Sequence, residues 1–130
     1  MTKTINLGVL GIDHGHIFDM LDEMLKEGCS CNYFWTEGSP ITLDEFSKKY
    51  PEIKRVDNKS NIFNDDSIDM ILISSIPKDR ANLSIDALKA GKDVMVDKPG
   101  CTTLDQLHEL KKTVKETRKI WSVNFSERFH

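Results

Sequence analysis

The feature that most constrains this chain is an alternation. Short apolar runs take turns with amphipathic segments about five times, and the series closes on an apolar run. Residues 4–11, "TINLGVLG", form a mostly apolar run ending at glycine, which suits a buried parallel strand. In the following "HIFDMLDEMLKEG", Ile17, Met20, Leu21, Met24 and Leu25 recur at three- and four-residue steps, predicting a helix that stops at Gly28. "CNYFWT" (residues 31–36) reads as a second strand. Thr42 opens the next helix, with Glu45 at capping-box spacing and Pro51 as terminator. Val56 marks a short strand, and residues 58–64 a weak helix. "IDMILISS" (68–75) is the clearest buried strand, followed by a helix from Pro77 to Gly91 with Leu83, Ile85 and Leu88 as apolar positions. "DVMVD" (93–97), a helix with Leu104, Leu107, Leu110 and Val114 on one face, and "IWSVNF" (120–125) complete the series. Such alternation predicts one α/β domain, a doubly wound parallel sheet with helices on both faces.

Length and charge narrow the function. At 130 residues the chain matches a single domain with one core. A net charge of −3 gives no case for nucleic acid, and the lysines of residues 111–119, broken by Glu116, read as a solvated helix face. No apolar run reaches 18 residues, so no membrane span is expected. The N-terminus runs into Asp-His, not a small-residue cleavage site. Three cysteines, Cys29, Cys31 and Cys101, lack framework spacing, which fits reduced thiols and a cytoplasmic location.

In a doubly wound sheet, ligands bind beyond the C-terminal strand ends, where strand order reverses. The first such end, "GIDHGH", follows a strand and opens a helix, as a phosphate-binding turn does. Compared with G-x-G-x-x-G it keeps only Gly11, with Gly15 one position out of register. Asp13 stands where the second glycine belongs, and His16 where the third belongs. A carboxylate about 5 Å from a phosphate charge, at an effective dielectric of ~20, would cost roughly 3 kcal/mol before screening. Protonated His14 or His16 would offset it. At the second strand end Glu37 lies 26 residues after Gly11, where a carboxylate accepts the adenosine ribose hydroxyls and favours NAD over NADP.

Taken together, the glycine turn, Glu37, "IDMILISSIPKDRA", "ALKAGKDVMVDKP", "TTLDQL" and "NFSERF" resemble the N-terminal half of the Gfo/Idh/MocA oxidoreductases, the glucose–fructose oxidoreductase and inositol dehydrogenase group. The resemblance covers essentially the whole chain. It implies a Rossmann-type, three-layer α/β/α domain over residues 1–130 that binds NAD, or less favourably NADP. It also implies a parent reaction of hydride transfer to or from a CH–OH group of a sugar or polyol. In the family a second domain supplies much of the substrate pocket and a catalytic histidine. The chain as given is therefore expected to be incomplete as an enzyme, either a shortened chain or a stand-alone cofactor domain. Self-association as a homo-oligomer is a further expectation.

Carried over by residue, the turn Gly11, Ile12, Asp13, His14, Gly15 and His16 would contact the cofactor, and Glu37 its ribose. Ser74, Ser75, Ile76 and Pro77 would pack along the nicotinamide and its ribose. Lys98 matches the lysine of the family's E-K-P motif, written here with Asp97 and Pro99, and would assist proton transfer at the substrate hydroxyl. The Lys98–Pro99 bond can be cis in this motif. Arg80, where relatives carry histidine, would reach a phosphate. Asn124 and Arg128 would lie toward the substrate side. The rival reading is a non-catalytic Rossmann interaction module with a degenerate nucleotide loop. No metal site is expected: His14 and His16 offer two ligands, but Cys29 and Cys31 fall at the opposite end of the sheet. Cys101 has no histidine placed to activate it and reads as a packed or exposed thiol.

Overall fold

The apolar runs do pair as strands, all in parallel. The computed structural model describes residues 4–124. Among them lie β1 (Asn6–Leu10), α1 (His16–Lys26), β2 (Ser30–Trp35), α2 (Leu43–Lys49), β3 (Lys54–Arg55), α3 (Ser60–Phe63), β4 (Met70–Ile73), α4 (Pro77–Lys89), β5 (Asp93–Asp97), α5 (Leu104–Thr117) and β6 (Trp121–Asn124). The six strands form one sheet in the order β3-β2-β1-β4-β5-β6, so the winding direction reverses between β1 and β4. That order defines the Rossmann-type doubly wound fold and puts a ligand crevice above the β1–β4 junction.

Period-two alternation sends each strand's side chains to two cores. Ile71, Ile73, Val94 and Val96 face one side, with Ile85, Leu88 and Leu110 of α4 and α5. Leu7, Val9 and Leu72 face the other, with Ile17, Met20 and Leu21 of α1 and Phe46 of α2. Tyr50, just past α2, donates from its hydroxyl to Asp22 at 2.6 Å, and Lys49 pairs with the same carboxylate at 2.6 Å, clasping α2 to α1.

Several local expectations shift. The capping box forms not at Thr42 but at Thr103, whose side chain accepts from the Gln106 N–H while the Gln106 side chain accepts from the Thr103 N–H. Thr42 has helical backbone angles, and its hydroxyl donates to the Ile12 carbonyl instead. The short third strand covers Lys54–Arg55, with the Val56 N–H still bonded to the Phe34 carbonyl. On α5, Leu110 is buried but Leu104, in the first helical turn, is exposed. Lys111, Lys112 and Lys115 are exposed, the solvated face expected of them. No helix among the described residues is long and apolar enough to cross a membrane.

Candidate functional site

The turn after β1 is fixed by crowding. Gly11 has φ +83, and a Cβ there would lie 2.5 Å from the Ser75 Cβ, so only glycine lets the ends of β1 and β4 approach this closely. Gly15 has open space around it and ordinary backbone angles at the N-cap of α1. The first glycine is therefore demanded by packing, while the second leaves room on the outer side of the loop.

Most amides of the turn are already committed. Gly11 N–H donates to the Trp35 carbonyl at 2.7 Å, Ile12 N–H to Thr36 Oγ1 at 3.3 Å, and His14 N–H to the Ser74 carbonyl at 3.1 Å. Asp13 turns its carboxylate to its own N–H and to that of Ile76, the N-cap of α4. Burial raises the Asp13 pKa, reinforced by the nearby Asp79 and Glu37 charges and opposed by those two backbone hydrogen bonds. Asp13 is thus a tie between two strand-end loops as well as a charge in the cleft.

Above the β1–β4 junction lies a cavity of about 390 Å3 lined by Gly11, Asp13, Trp35, Glu37, Ser75 and Ile76 among others. Lys59, Asp79, Asn82, Leu83 and Asp86 complete its wall. Sequence reading missed these last five. Four of them share the i, i+3, i+4, i+7 spacing of one helical face on α4, so periodicity could have found them once α4 was known to border the crevice. Lys59 Nζ sits 5.2 Å from the centre of the Trp35 ring.

The remaining expected residues gather on the β5 side. Asp97, at the end of β5, is 0% exposed and accepts from Ser74 Oγ at 3.1 Å. Its other oxygen lies 2.9 Å from His16 Nδ1, and His14 Nδ1 is 3.6 Å from the carboxylate. Lys98 and Pro99 follow it on the exposed edge through a cis peptide bond. Pro77 is exposed in the first turn of α4.

Arg80 departs from expectation. It is 1% exposed, donates from Nε to the Ser75 carbonyl at 2.7 Å and from Nη1 to the Asp97 carbonyl at 3.2 Å, and lies 3.5 Å from the Asp97 carboxylate. Burial pulls its pKa below the usual guanidinium range, against the opposing pull of Asp97 and Asp13. The guanidinium clamps the ends of β4 and β5 together and does not line the cavity, because its long stem points inward from the buried face of α4. Asn124 ends β6 beside Asp97; Arg128 lies outside the described residues.

The profile described as "Oxidoreductase family, NAD-binding Rossmann fold" of the Gfo/Idh/MocA group matches residues 39–125. The chain belongs to the Gfo/Idh/MocA oxidoreductase family. It is 36% identical over 135 residues to the uncharacterized oxidoreductase YdgJ of Escherichia coli (strain K12), a match covering 99% of this chain and 36% of that protein. The scyllo-inositol 2-dehydrogenase (NADP(+)) IolW of Bacillus subtilis (strain 168) is 24% identical over 97% of this chain and 34% of its own length. Among solved structures, a candidate oxidoreductase from Erwinia carotovora atroseptica SCRI1043 superposes with a TM-score of 0.92 at 33% identity, covering 96% of this chain and 37% of that one. The biliverdin reductase of Synechocystis sp. PCC 6803, solved with biliverdin and NADP+, shares the fold at a TM-score of 0.79 and 21% identity, covering 92% of this chain and 37% of that one. The chain thus spans about a third of the length of the relatives it matches. It is the family's nicotinamide-dinucleotide-binding Rossmann domain.

Proposed function

We propose that this domain binds NAD(H) in the crevice above β1 and β4 and, together with a substrate-binding domain, serves hydride transfer at a CH–OH group of a sugar or polyol. The observation that carries the reading is the cavity at the strand-order reversal, walled by the Gly11 turn on one side and by Trp35 and Glu37 on the other. Glu37 is exposed at the rim, where its carboxylate can accept two ribose hydroxyls and would repel a 2′-phosphate. That electrostatic argument favours NAD over NADP.

The group bound there supplies hydride acceptance and donation. This chain supplies its position: Ser75 and Ile76 wall the crevice, and Asp97, buried and fixed by Ser74 and Arg80, anchors the end of β5. Lys98, next in sequence and exposed, is suited to take the hydroxyl proton as hydride leaves the carbon and to return it in the reverse direction.

A second reading, a Rossmann module that no longer binds dinucleotide, is favoured by the wall's charge. Asp13, Glu37, Asp79 and Asp86 line the cavity with Lys59 as its only lining cation among the described residues, an acidic setting for a pyrophosphate. Titration with NADH and NADPH, followed by tryptophan fluorescence, separates the two. Trp35 lines the cavity, so saturable quenching by NADH, weaker with NADPH, is expected. Asp13→Gly should tighten binding by freeing the Ile76 N–H and removing a charge. No response to either nucleotide at millimolar concentration, in the folded wild type and in Asp13→Gly alike, would retire the oxidoreductase reading for this chain.

A further inference from the structure

The histidines that break the glycine pattern meet a buried carboxylate from two strands away at the same edge of the sheet. His14 and His16 stand in the β1–α1 turn, and Asp97 ends β5; β4 runs between those strands. Side-chain nitrogen or oxygen atoms of the three residues lie within 4.8 Å of one another. Two ligand atoms held about 2.1 Å from one ion are about 3.0 Å apart at a right angle and about 3.4 Å apart at the tetrahedral angle. His16 Nδ1 lies 2.9 Å from Asp97 Oδ1, close to the right-angle separation, while His14 Nδ1 lies 3.6 Å from the other oxygen, Oδ2, so holding one ion draws His14 inward. We propose that His14, His16 and Asp97 form a binding site for one divalent transition-metal ion of the zinc or ferrous type.

The surroundings supply what such a site needs. Ser74 Oγ donates to Asp97 Oδ2 at 3.1 Å and Arg80 Nη2 lies 3.5 Å from the same oxygen, which leaves Oδ1 facing His16. Ligating carboxylates are commonly oriented by outer hydrogen bonds of this kind. His14 Nδ1 accepts from the His16 N–H at 3.3 Å, a long bond that ligation through this nitrogen would displace, since the ring nitrogen has a single lone pair. His16 Nδ1 exchanges its proton for the ion and releases it to solvent. His14 is 52% exposed and His16 34%, so the remaining coordination positions open outward.

Arg80 decides the class of ion. A guanidinium on the only carboxylate opposes any ion held by charge alone, as magnesium and calcium are by oxygen ligands. Two imidazoles bind through directed lone pairs and suit a borderline-soft ion. Neither histidine nor Asp97 lines the cavity assigned to the dinucleotide, but the turn that carries both histidines borders it at Gly11 and Asp13, so the two sites adjoin.

The test is a titration of the chelator-stripped protein with Zn2+ by calorimetry and with Co2+ by visible absorption. One ion per chain is expected, with Co2+ bands of nitrogen–oxygen coordination. His14→Gln and His16→Gln, both partly exposed, should each weaken binding by more than about 100-fold while circular dichroism stays native; Ser74→Ala should cost about 10- to 100-fold, as loss of an outer hydrogen bond does. His108→Ala, on the exposed face of α5, should change nothing. No saturable binding, binding unchanged in both histidine variants, or an intense thiolate band marking Cys29 and Cys31 would each overturn the proposal.

Discussion

Asp13 and Arg80 show how a residue's neighbours override its type. Sequence alone makes Asp13 a carboxylate opposing phosphate, yet in the fold it also satisfies the backbone of Ile76. Its raised pKa has a direct consequence: as pH falls toward that pKa the carboxylate neutralises, so NADH binding should strengthen with acidity, and the trend should vanish in Asp13→Gly. Affinities measured across the range in which the protein stays folded would show it. Arg80 reads from sequence as a phosphate ligand, but its guanidinium is sealed against three main-chain carbonyls and the Asp97 carboxylate. Removing one member of a buried pair leaves the other charge uncompensated, so Arg80→Met should lower unfolding free energy by about 3–5 kcal/mol in urea denaturation. Nucleotide affinity per folded molecule should change little, since Arg80 does not line the cavity.

At the scale of elements, capping and clasping chemistry set boundaries. The Thr103–Gln106 capping box starts α5, and Thr103→Ala should cost about 1 kcal/mol of stability, read by chemical denaturation. The clasp between α1 and α2 is pH-dependent. Burial acts to raise the Asp22 pKa, but hydrogen bonds from Lys49 and Tyr50 and the lysine charges hold it below its ordinary value. Its stabilising contribution is therefore complete above that ordinary value and is lost as pH falls through the lowered one. Thermal melts between neutral and strongly acid pH should show a steeper loss for wild type than for Asp22→Asn. Alternating runs and helical spacing made most strands and helices legible in the sequence, because each of these buries its own apolar side locally; β3 is the exception, falling on the exposed Lys54–Arg55 and not on Val56. The Thr42 box was not legible as absent: its spacing is right, but the Ile12 carbonyl takes the hydroxyl first.

For the whole molecule, the strand order puts the ligand crevice at a junction between elements far apart in sequence. A ligand there bridges the β1–α1, β2–α2 and β4–α4 connections and should couple to global unfolding. At about 100 times its dissociation constant NADH would add about 2.7 kcal/mol, or roughly 10 °C in melting temperature for a chain of this size. A scanning fluorimetry series in NADH, NADPH and no nucleotide would read the difference. NADH alone giving the full shift is the expected result, with NADPH trailing because of Glu37.

The sequence by itself determined the α/β class, the parallel sheet, the family and the strand ends where chemistry must lie, since all of these follow from local periodicity and short motifs. It also pointed to Gly11, which packing against Ser75 requires. Only the tertiary structure decided which side chains share those ends. His16 and Asp97 are 81 residues apart, and Asp13 reaches Ile76 across the crevice. Such meetings depend on the order in which strands enter the sheet and on how far each side chain reaches over the strand between them. Neither quantity is written in any local stretch of the chain.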